Sequence, residues 1–188
     1  MYRNCPDKAV LSVSSSKMRD ATPMQMQEIL AVLDVGDPNQ LERLRERIDE
    51  FPLGSDSEYG EPWLFHAIER GCIKTLQWMI GKGVSLHGRD IGYPVLHACI
   101  ESDAPNKQQV LALLVHSGAD LNSRGPNDWT PLHLAAVRND VWAVEYLLEA
   151  GADASVRTRI DNCFTAEQEA EMLGSLDAAR SIGRFRQR

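Results

Sequence analysis

Three segments of this sequence repeat one another in register, and this periodicity constrains the fold more than any other feature. Their anchors are Leu64, Leu96 and Leu132, which lie 32 and then 36 residues apart. Each segment then runs into a short turn of small residues, GKGVS, HSGAD or EAGAD. A weaker fourth copy starts at Thr165 and has Glu167 in place of the leucine. Repeats of this length indicate stacked supersecondary units.

The third segment predicts two short helices. A first helix over 132–137 precedes a polar break at 138–140, and a second helix follows it. The second helix has apolar residues at helical spacing: Val141, Val144, Leu147 and Leu148. Gly151 comes directly after them, as is typical of a helix C-terminus. Two short helices cannot bury their apolar faces alone, so we expect neighbouring units to stack.

Two motifs in this segment resemble the ankyrin-repeat family. They are Thr-Pro-Leu-His-Leu-Ala-Ala at 130–136 and Leu-Leu-Glu-Ala-Gly-Ala-Asp at 147–153. The resemblance covers residues 61–188 and extends by pattern back to about residue 24. It implies an all-α fold, an ankyrin-type helix-turn-helix solenoid with short β-hairpin loops. About four to five repeats are expected to stack, including degenerate end caps.

The repeat register also predicts a division of the chain. Residues 1–22 are Ser-rich and aperiodic and are expected to form a flexible tail, whereas 23–188 form the ankyrin-repeat domain. The expected units are a degenerate N-terminal unit with a linker at 24–60, full repeats at 61–91, 92–126 and 127–160, and a C-terminal cap at 161–188.

Charge and composition exclude some classes of function. The formal net charge is −7 and the pI is about 5.2, which argues against a nucleic-acid binder, because neutralising phosphates needs a basic face. No apolar stretch is long enough for a signal peptide or a transmembrane helix. The four cysteines are scattered, as in a reducing compartment. We therefore expect a soluble cytoplasmic protein that binds neither nucleic acid nor membrane.

The histidines do not predict chemistry. His97 and His133 share one repeat position, where the resemblance implies a bond near the helix start. No residues recur beside them with the spacing of a catalytic triad or a metal site. Cys99 stands at the small-residue position of Ala135 and is expected to be packed. We predict no enzyme, no catalytic residue, no metal site and no cofactor.

The resemblance implies that a partner binds the concave side, formed by hairpin tips and the first helix of each unit. The register places aromatic residues at one hairpin position and arginines at another, and both types are common in interface hot spots. The candidate partner-binding residues are Tyr93, Trp129, Phe164, Arg89, Arg124 and Arg157. The alternative is structural: the arginines bond neighbouring hairpins and the aromatics cover the hairpin base.

The predicted function is a non-catalytic protein–protein interaction module, a free-standing adaptor or inhibitor. Its partner is another protein, either a basic one or an enzyme that it inhibits, and the chain alone is expected to be a monomer. Three alternatives remain. They are a bacterial immunity protein that neutralises a toxin enzyme, an enzyme or ligand-binding site grafted on the stack, and a scaffold whose Ser-rich segment 12–17 is modified to gate binding.

Overall fold

The computed structural model describes residues 23–56, 60–87, 92–160 and 162–187. In these ranges the chain forms ten α-helices, numbered here in chain order. They are α1 (Pro23–Val35), α2 (Pro38–Arg47), α3 (Trp63–Arg70), α4 (Ile73–Gly81), α5 (Val95–Glu101), α6 (Lys107–His116), α7 (Pro131–Val137), α8 (Val141–Glu149), α9 (Ala166–Leu173) and α10 (Leu176–Phe185).

The helices are arranged as successive antiparallel pairs. Within each pair the two helices contact each other, and the first helices α3, α5, α7 and α9 also stack on one another in that order. The prediction of an all-α repeat solenoid is confirmed. Within the described ranges, β pairing is limited to isolated bridges, Ser55 with Pro62 and Arg157 with Thr165. The loops that precede the first helices are therefore hairpin-like turns with little strand structure.

Side-chain caps start several of the helices. Thr130 accepts a hydrogen bond from the backbone N–H of His133 at the start of α7, and Pro131 fills the first helical position. Asp140 caps α8 in the same way. At α9, Thr165 forms a reciprocal capping box with Gln168. These contacts satisfy backbone N–H groups that a helix start leaves unpaired.

A glycine with positive φ ends the second helix of each full repeat. Gly83, Gly118 and Gly151 have φ values of 87°, 91° and 99°. Residues with a Cβ rarely adopt this region of φ. The next backbone N–H then bonds back into the helix, as Ala152 N does to Leu147 O at 2.9 Å. This repeated closure turns the chain back towards the next hairpin.

The core runs without interruption along the stack. Each repeat anchor is buried, with Leu64, Leu96 and Leu132 at most 1% exposed. Their neighbours in the core come from every helix pair, from Ile29 in α1 to Ile182 in α10. In the described ranges these residues form one cluster that all units share, which is the expected energetic consequence of stacking short helix pairs. The domain and repeat boundaries stay predictions, and the expected flexible tail at 1–22 lies outside the described residues.

Candidate protein-binding surface

The candidate surface consists of the hairpin-like loops and the first helices α3, α5, α7 and α9, and is called here the inner face. Buried histidines hold its parts together. His97 Nε2 donates to the carbonyl oxygen of Trp129 at 2.9 Å, and His133 Nε2 donates to that of Phe164 at 3.2 Å. Each histidine thus ties its own helix to the hairpin of the next unit.

His133 is held at both ring nitrogens. Its Nδ1 lies 2.8 Å from Thr130 Oγ1, and because Nε2 donates to Phe164, a neutral ring accepts at Nδ1. His133 is 1% exposed, and this burial lowers its pKa, with partial compensation from the Phe164 carbonyl. The ring thus connects its own helix start with the next hairpin.

His97 has the same link but lacks the helix-start partner. Pro94 takes the position that Thr130 has in the next repeat, so no hydroxyl faces Nδ1 of His97, and in the described structure this buried nitrogen has no hydrogen-bond partner. Gly125 packs against the other side of the ring. A Cβ placed on Gly125 would lie 2.7 Å from His97 Cδ2 and Nε2. The close contact therefore needs glycine.

The three predicted aromatic residues are all half-buried. The ring of Tyr93 meets those of Phe65 and His97 edge to face, with centroids 6.1 Å away in both cases. Its hydroxyl donates to Glu101 Oε2 at 2.7 Å. Burial, and secondarily Glu101, raise the Tyr93 pKa. Trp129 and Phe164 accept hydrogen bonds from the histidines through their backbone carbonyl oxygens, so their rings take no part in these bonds.

The predicted arginines take part in contacts between hairpins. Arg124 donates through one guanidinium nitrogen to the Arg157 carbonyl at 3.0 Å, and through another to Asp128. Arg157 donates to the Cys163 carbonyl at 3.0 Å and to Gln168 Oε1 at 3.2 Å. Arg124 thus bonds the neighbouring hairpin, as the structural alternative expects. Arg157 is exposed, and its guanidinium group bonds its own hairpin and α9. Arg89 lies outside the described residues.

Asp128 was not singled out from the sequence, yet it is the acceptor at the centre of the contact between two hairpins. Its carboxylate accepts from Arg159 Nε at 3.1 Å and from the Arg159 backbone N–H at 2.6 Å, and it also pairs with Arg124. The hydrogen bonds from Arg159 hold the Asp128 pKa below its usual range. The available signal in the sequence was an acidic residue directly before the recurring aromatic position.

Among the described residues, one cluster of possible metal ligands joins α3 to the loop before it. Donor atoms of Asp56, Glu61 and His66 fall within 4.8 Å of one another. His66 Nε2 is 2.9 Å from Asp56 Oδ2 and 3.8 Å from Glu61 Oε2. The shorter distance is that of a hydrogen bond, which joins the loop before α3 to the helix. The arrangement is therefore accounted for by a hydrogen bond between half-buried His66 and buried Asp56.

The described cysteines are free thiols in different surroundings. Cys99 is buried between helices, and burial raises its pKa to about 12, which keeps it a thiol. This matches its predicted packing role. Cys72 is half-buried and Cys163 is exposed. Cys5 lies outside the described residues. In the described part of the chain, no helix is both long and apolar enough to cross a membrane.

Comparison with known proteins agrees with the repeat geometry. A family model described as ankyrin repeats in three copies matches residues 64–158. The rat (Rattus norvegicus) protein "Ankyrin repeat and SAM domain-containing protein 6" is 28% identical over 127 residues, which cover 65% of this chain and 14% of that protein. The human (Homo sapiens) "Transient receptor potential cation channel subfamily A member 1" is 27% identical over 129 residues, 68% of this chain and 11% of that protein.

A shorter match has higher identity. The mouse (Mus musculus) "Ankyrin repeat domain-containing protein 40" is 50% identical over 46 residues, 24% of this chain and 13% of that protein. The chain thus spans only about an eighth of the length of these relatives. What is shared is the repeat itself, seen here as stacked helix pairs joined by histidine-to-carbonyl bonds. The chain belongs to the ankyrin-repeat family.

Proposed function

We propose that this protein is a non-catalytic interaction module that binds another protein through its inner face, as an adaptor or an inhibitor. Ankyrin repeats are generally protein–protein interaction modules. The observation that carries the proposal is the row of half-buried aromatic side chains at one hairpin position, Tyr93, Trp129 and Phe164. Rigid, partly exposed aromatic rings lose little conformational entropy on binding and are frequent hot spots.

The backbone of this row is fixed before any partner arrives. The Trp129 and Phe164 carbonyls accept from buried histidines of the preceding units. Because the carbonyl and not the side chain makes each bond, the indole and phenyl rings remain available for contacts with a partner. A surface held in this way needs little ordering on association, and less ordering leaves more of the contact energy as affinity.

The formal net charge of −7 supports a basic partner. Complementary charge raises the rate of association and excludes acidic competitors. An enzyme whose active-site region is basic is one partner of this kind. Whether the chain then acts as an inhibitor or an adaptor depends on what the bound partner can still do.

The test begins with affinity purification from the native source at moderate salt, followed by binding measurements with the retained protein. Tyr93→Ala and Trp129→Ala should each weaken binding by more than about 1 kcal/mol, the usual threshold for a hot spot. Trp142→Ala is the matched control, because Trp142 lies on the second helix α8 and stacks on Tyr146 there, with ring centroids 5.1 Å apart.

Equal affinities for Trp129→Ala, Tyr93→Ala and the unmodified protein would show that the aromatic row does not bind the partner. A larger effect of Trp142→Ala would place the interface on the second helices instead. If the partner is an enzyme, its activity in the saturated complex separates an inhibitor from an adaptor.

A further inference from the structure

A cavity of about 270 Å³ opens on the inner face between α3 and α5. Its apolar wall includes Phe65, Ile68 and Tyr93, and its polar wall includes Glu61, Glu69 and Glu101. The volume is below the range of pockets that hold drug-sized ligands. This volume can hold a single large side chain of a bound protein.

The charges around this cavity have one sign. Three of the residues that line it are glutamates, and none is lysine, arginine or histidine. Tyr93 donates to Glu101 Oε2 at 2.7 Å and thereby orients that carboxylate beside the phenol ring. Glu69 is exposed and makes no hydrogen bond or ion pair with any residue that the structure describes. Glu61 lies 3.8 Å from His66 Nε2, whereas Glu69 and Glu101 form no ion pair with any residue that the structure describes.

Neighbouring cations are engaged elsewhere. Arg70, next to Glu69 in the chain, faces Asp34 with 3.4 Å between Nε and Oδ1. Arg124 and Arg159 bind Asp128 in the hairpins of later repeats. Arg89 precedes Tyr93 in the same hairpin segment of the sequence and lies outside the described residues. The experiment therefore includes a substitution of this arginine.

We propose that this cavity receives one arginine side chain of the protein partner. The inference rests on the proposed function and adds to it the chemistry of one recognised residue. A guanidinium group can bind carboxylates through two parallel N–H groups and can also lie on an aromatic face. A lysine ammonium lacks the planar fork, and an uncharged side chain would leave the glutamates without a partner.

The apolar wall of the cavity also favours an arginine side chain. Phe65 is only 8% exposed and forms the floor with Ile68, whereas Tyr93 stands beside it at the hairpin. The methylene groups of an arginine can cover such a wall while its charged end reaches the rim. Phe65 and Tyr93 both line the cavity, and attraction between a cation and an aromatic face would favour guanidinium over neutral groups of the same shape.

The test needs no identified partner. The full chain, labelled with ¹⁵N, is titrated with Nα-acetyl-arginine amide and separately with Nα-acetyl-citrulline amide, which has nearly the same shape but no charge. We expect saturable, millimolar shifts with the arginine probe at the amides of Phe65, Glu69 and Tyr93, and at least a five-fold weaker response to citrulline. Absence of a saturable response at these amides overturns the proposal.

Two pairs of glutamate substitutions distinguish binding in the cavity from a response to the net charge of the chain. Glu69→Gln with Glu101→Gln should weaken the arginine response at least five-fold. The control pair Glu149→Gln with Glu171→Gln removes the same charge from exposed positions outside the cavity and should leave the response within two-fold. Equal weakening by both pairs would mean that the probe senses net charge only, and the proposal would fail.

The chain's own Arg89 is tested in the same way. If the arginine probe binds only after Arg89→Ala, the cavity is filled from within and does not receive a partner's residue, which overturns the inference. The outcome of the probe titration and the outcome of the partner-binding test can be told apart. A partner that loses affinity with Trp129→Ala while the probe fails to bind would leave the interaction module standing and remove the arginine pocket alone.

Discussion

His133 Nε2 lies 3.2 Å from the carbonyl oxygen of Phe164, 31 residues further along the chain. The same bond, one repeat earlier, joins His97 to the carbonyl of Trp129. These two histidines thus fix the hairpins that carry Trp129 and Phe164, the aromatic residues of the following units. In these units, the stability of the inner face and the placement of the proposed binding residues depend on the same contacts.

Gly125→Ala should destabilise the protein because it places a methyl group against a buried ring. The added Cβ would lie 2.7 Å from two atoms of His97. Forcing such an overlap in a packed site costs about 1–3 kcal/mol, and urea unfolding should show this loss. Gly81→Ala is the control, since nothing lies within 4 Å of its added Cβ at the end of α4; an equal loss there would contradict the explanation.

His133→Gln should make stability less sensitive to pH between 7 and 5. Burial lowers the folded-state pKa of His133 below that of the unfolded chain, so the neutral ring stabilises the fold above the unfolded pKa of about 6.5. This contribution is lost as pH falls below that value towards the lowered folded pKa. Gln168 fills the same capping role at α9, so glutamine should keep the helix start.

The measurement for His133→Gln is the free energy of unfolding in urea at pH 7 and at pH 5. The decrease between the two should be smaller in the variant than in the unmodified protein. His87→Gln serves as the control, because the His87 side chain is exposed and its replacement should preserve the original decrease. An unchanged pH slope in His133→Gln would show that another group controls it.

Thr130→Ala should weaken the third full repeat by about 1–2 kcal/mol, the usual effect of removing a helix N-cap. It removes the acceptor for the His133 backbone N–H and the partner of His133 Nδ1. Thr130→Ser retains the hydroxyl and should recover most of the stability. Thermal unfolding of the two variants distinguishes the cap from the loss of a methyl group, since both substitutions remove the threonine methyl.

Asp128→Asn should reduce stability at neutral pH but not at strongly acidic pH. The folded-state pKa of Asp128 is lowered chiefly by its hydrogen bonds with Arg159, so its stabilising contribution is present above the unfolded pKa of about 3.9. It disappears as pH falls through the lower folded value. The difference between variant and unmodified protein in urea unfolding should therefore be constant from pH 7 to 5 and shrink below pH 4.

Asp177→Asn is the control for this effect. Asp177 also faces an arginine, Arg180 at 3.0 Å, but both side chains are exposed. Exposed pairs contribute about 0–1 kcal/mol, so this substitution should change stability little at any pH. An equally large change in both variants would mean that the hairpin contact around Asp128 is no stronger than an ordinary surface pair.

The sequence predicted what depends on local periodicity. Leu64, Leu96 and Leu132 are buried as their register indicated, and α7 and α8 form the helix pair that was expected in the third segment. A repeated pattern is readable because each unit must place the same apolar residues on the same helix faces. The packing of Cys99 was predicted from its repeat position, whereas the bond of His133 near the helix start was implied by the family resemblance.

Contacts between units were less accessible to the sequence. Glu69 and Glu101 share a repeat position, but only the stacking of α3 on α5 places both on one cavity with Tyr93. The pairing of Asp128 with Arg159 crosses two loops of different sequence. Such contacts depend on the exact offset between neighbouring units, and that offset results from packing over the whole stack.

The sequence by itself thus determined the repeat, the helix pairs and the burial of their anchors, because these follow from spacing within one unit. Only the tertiary structure decided which polar groups meet across units, including His97 with Trp129 and the absence of a described partner for His97 Nδ1. The physical reason is geometric. Hydrogen bonds and ion pairs act over about 3–4 Å, and positions more than thirty residues apart reach that distance only when the units stack.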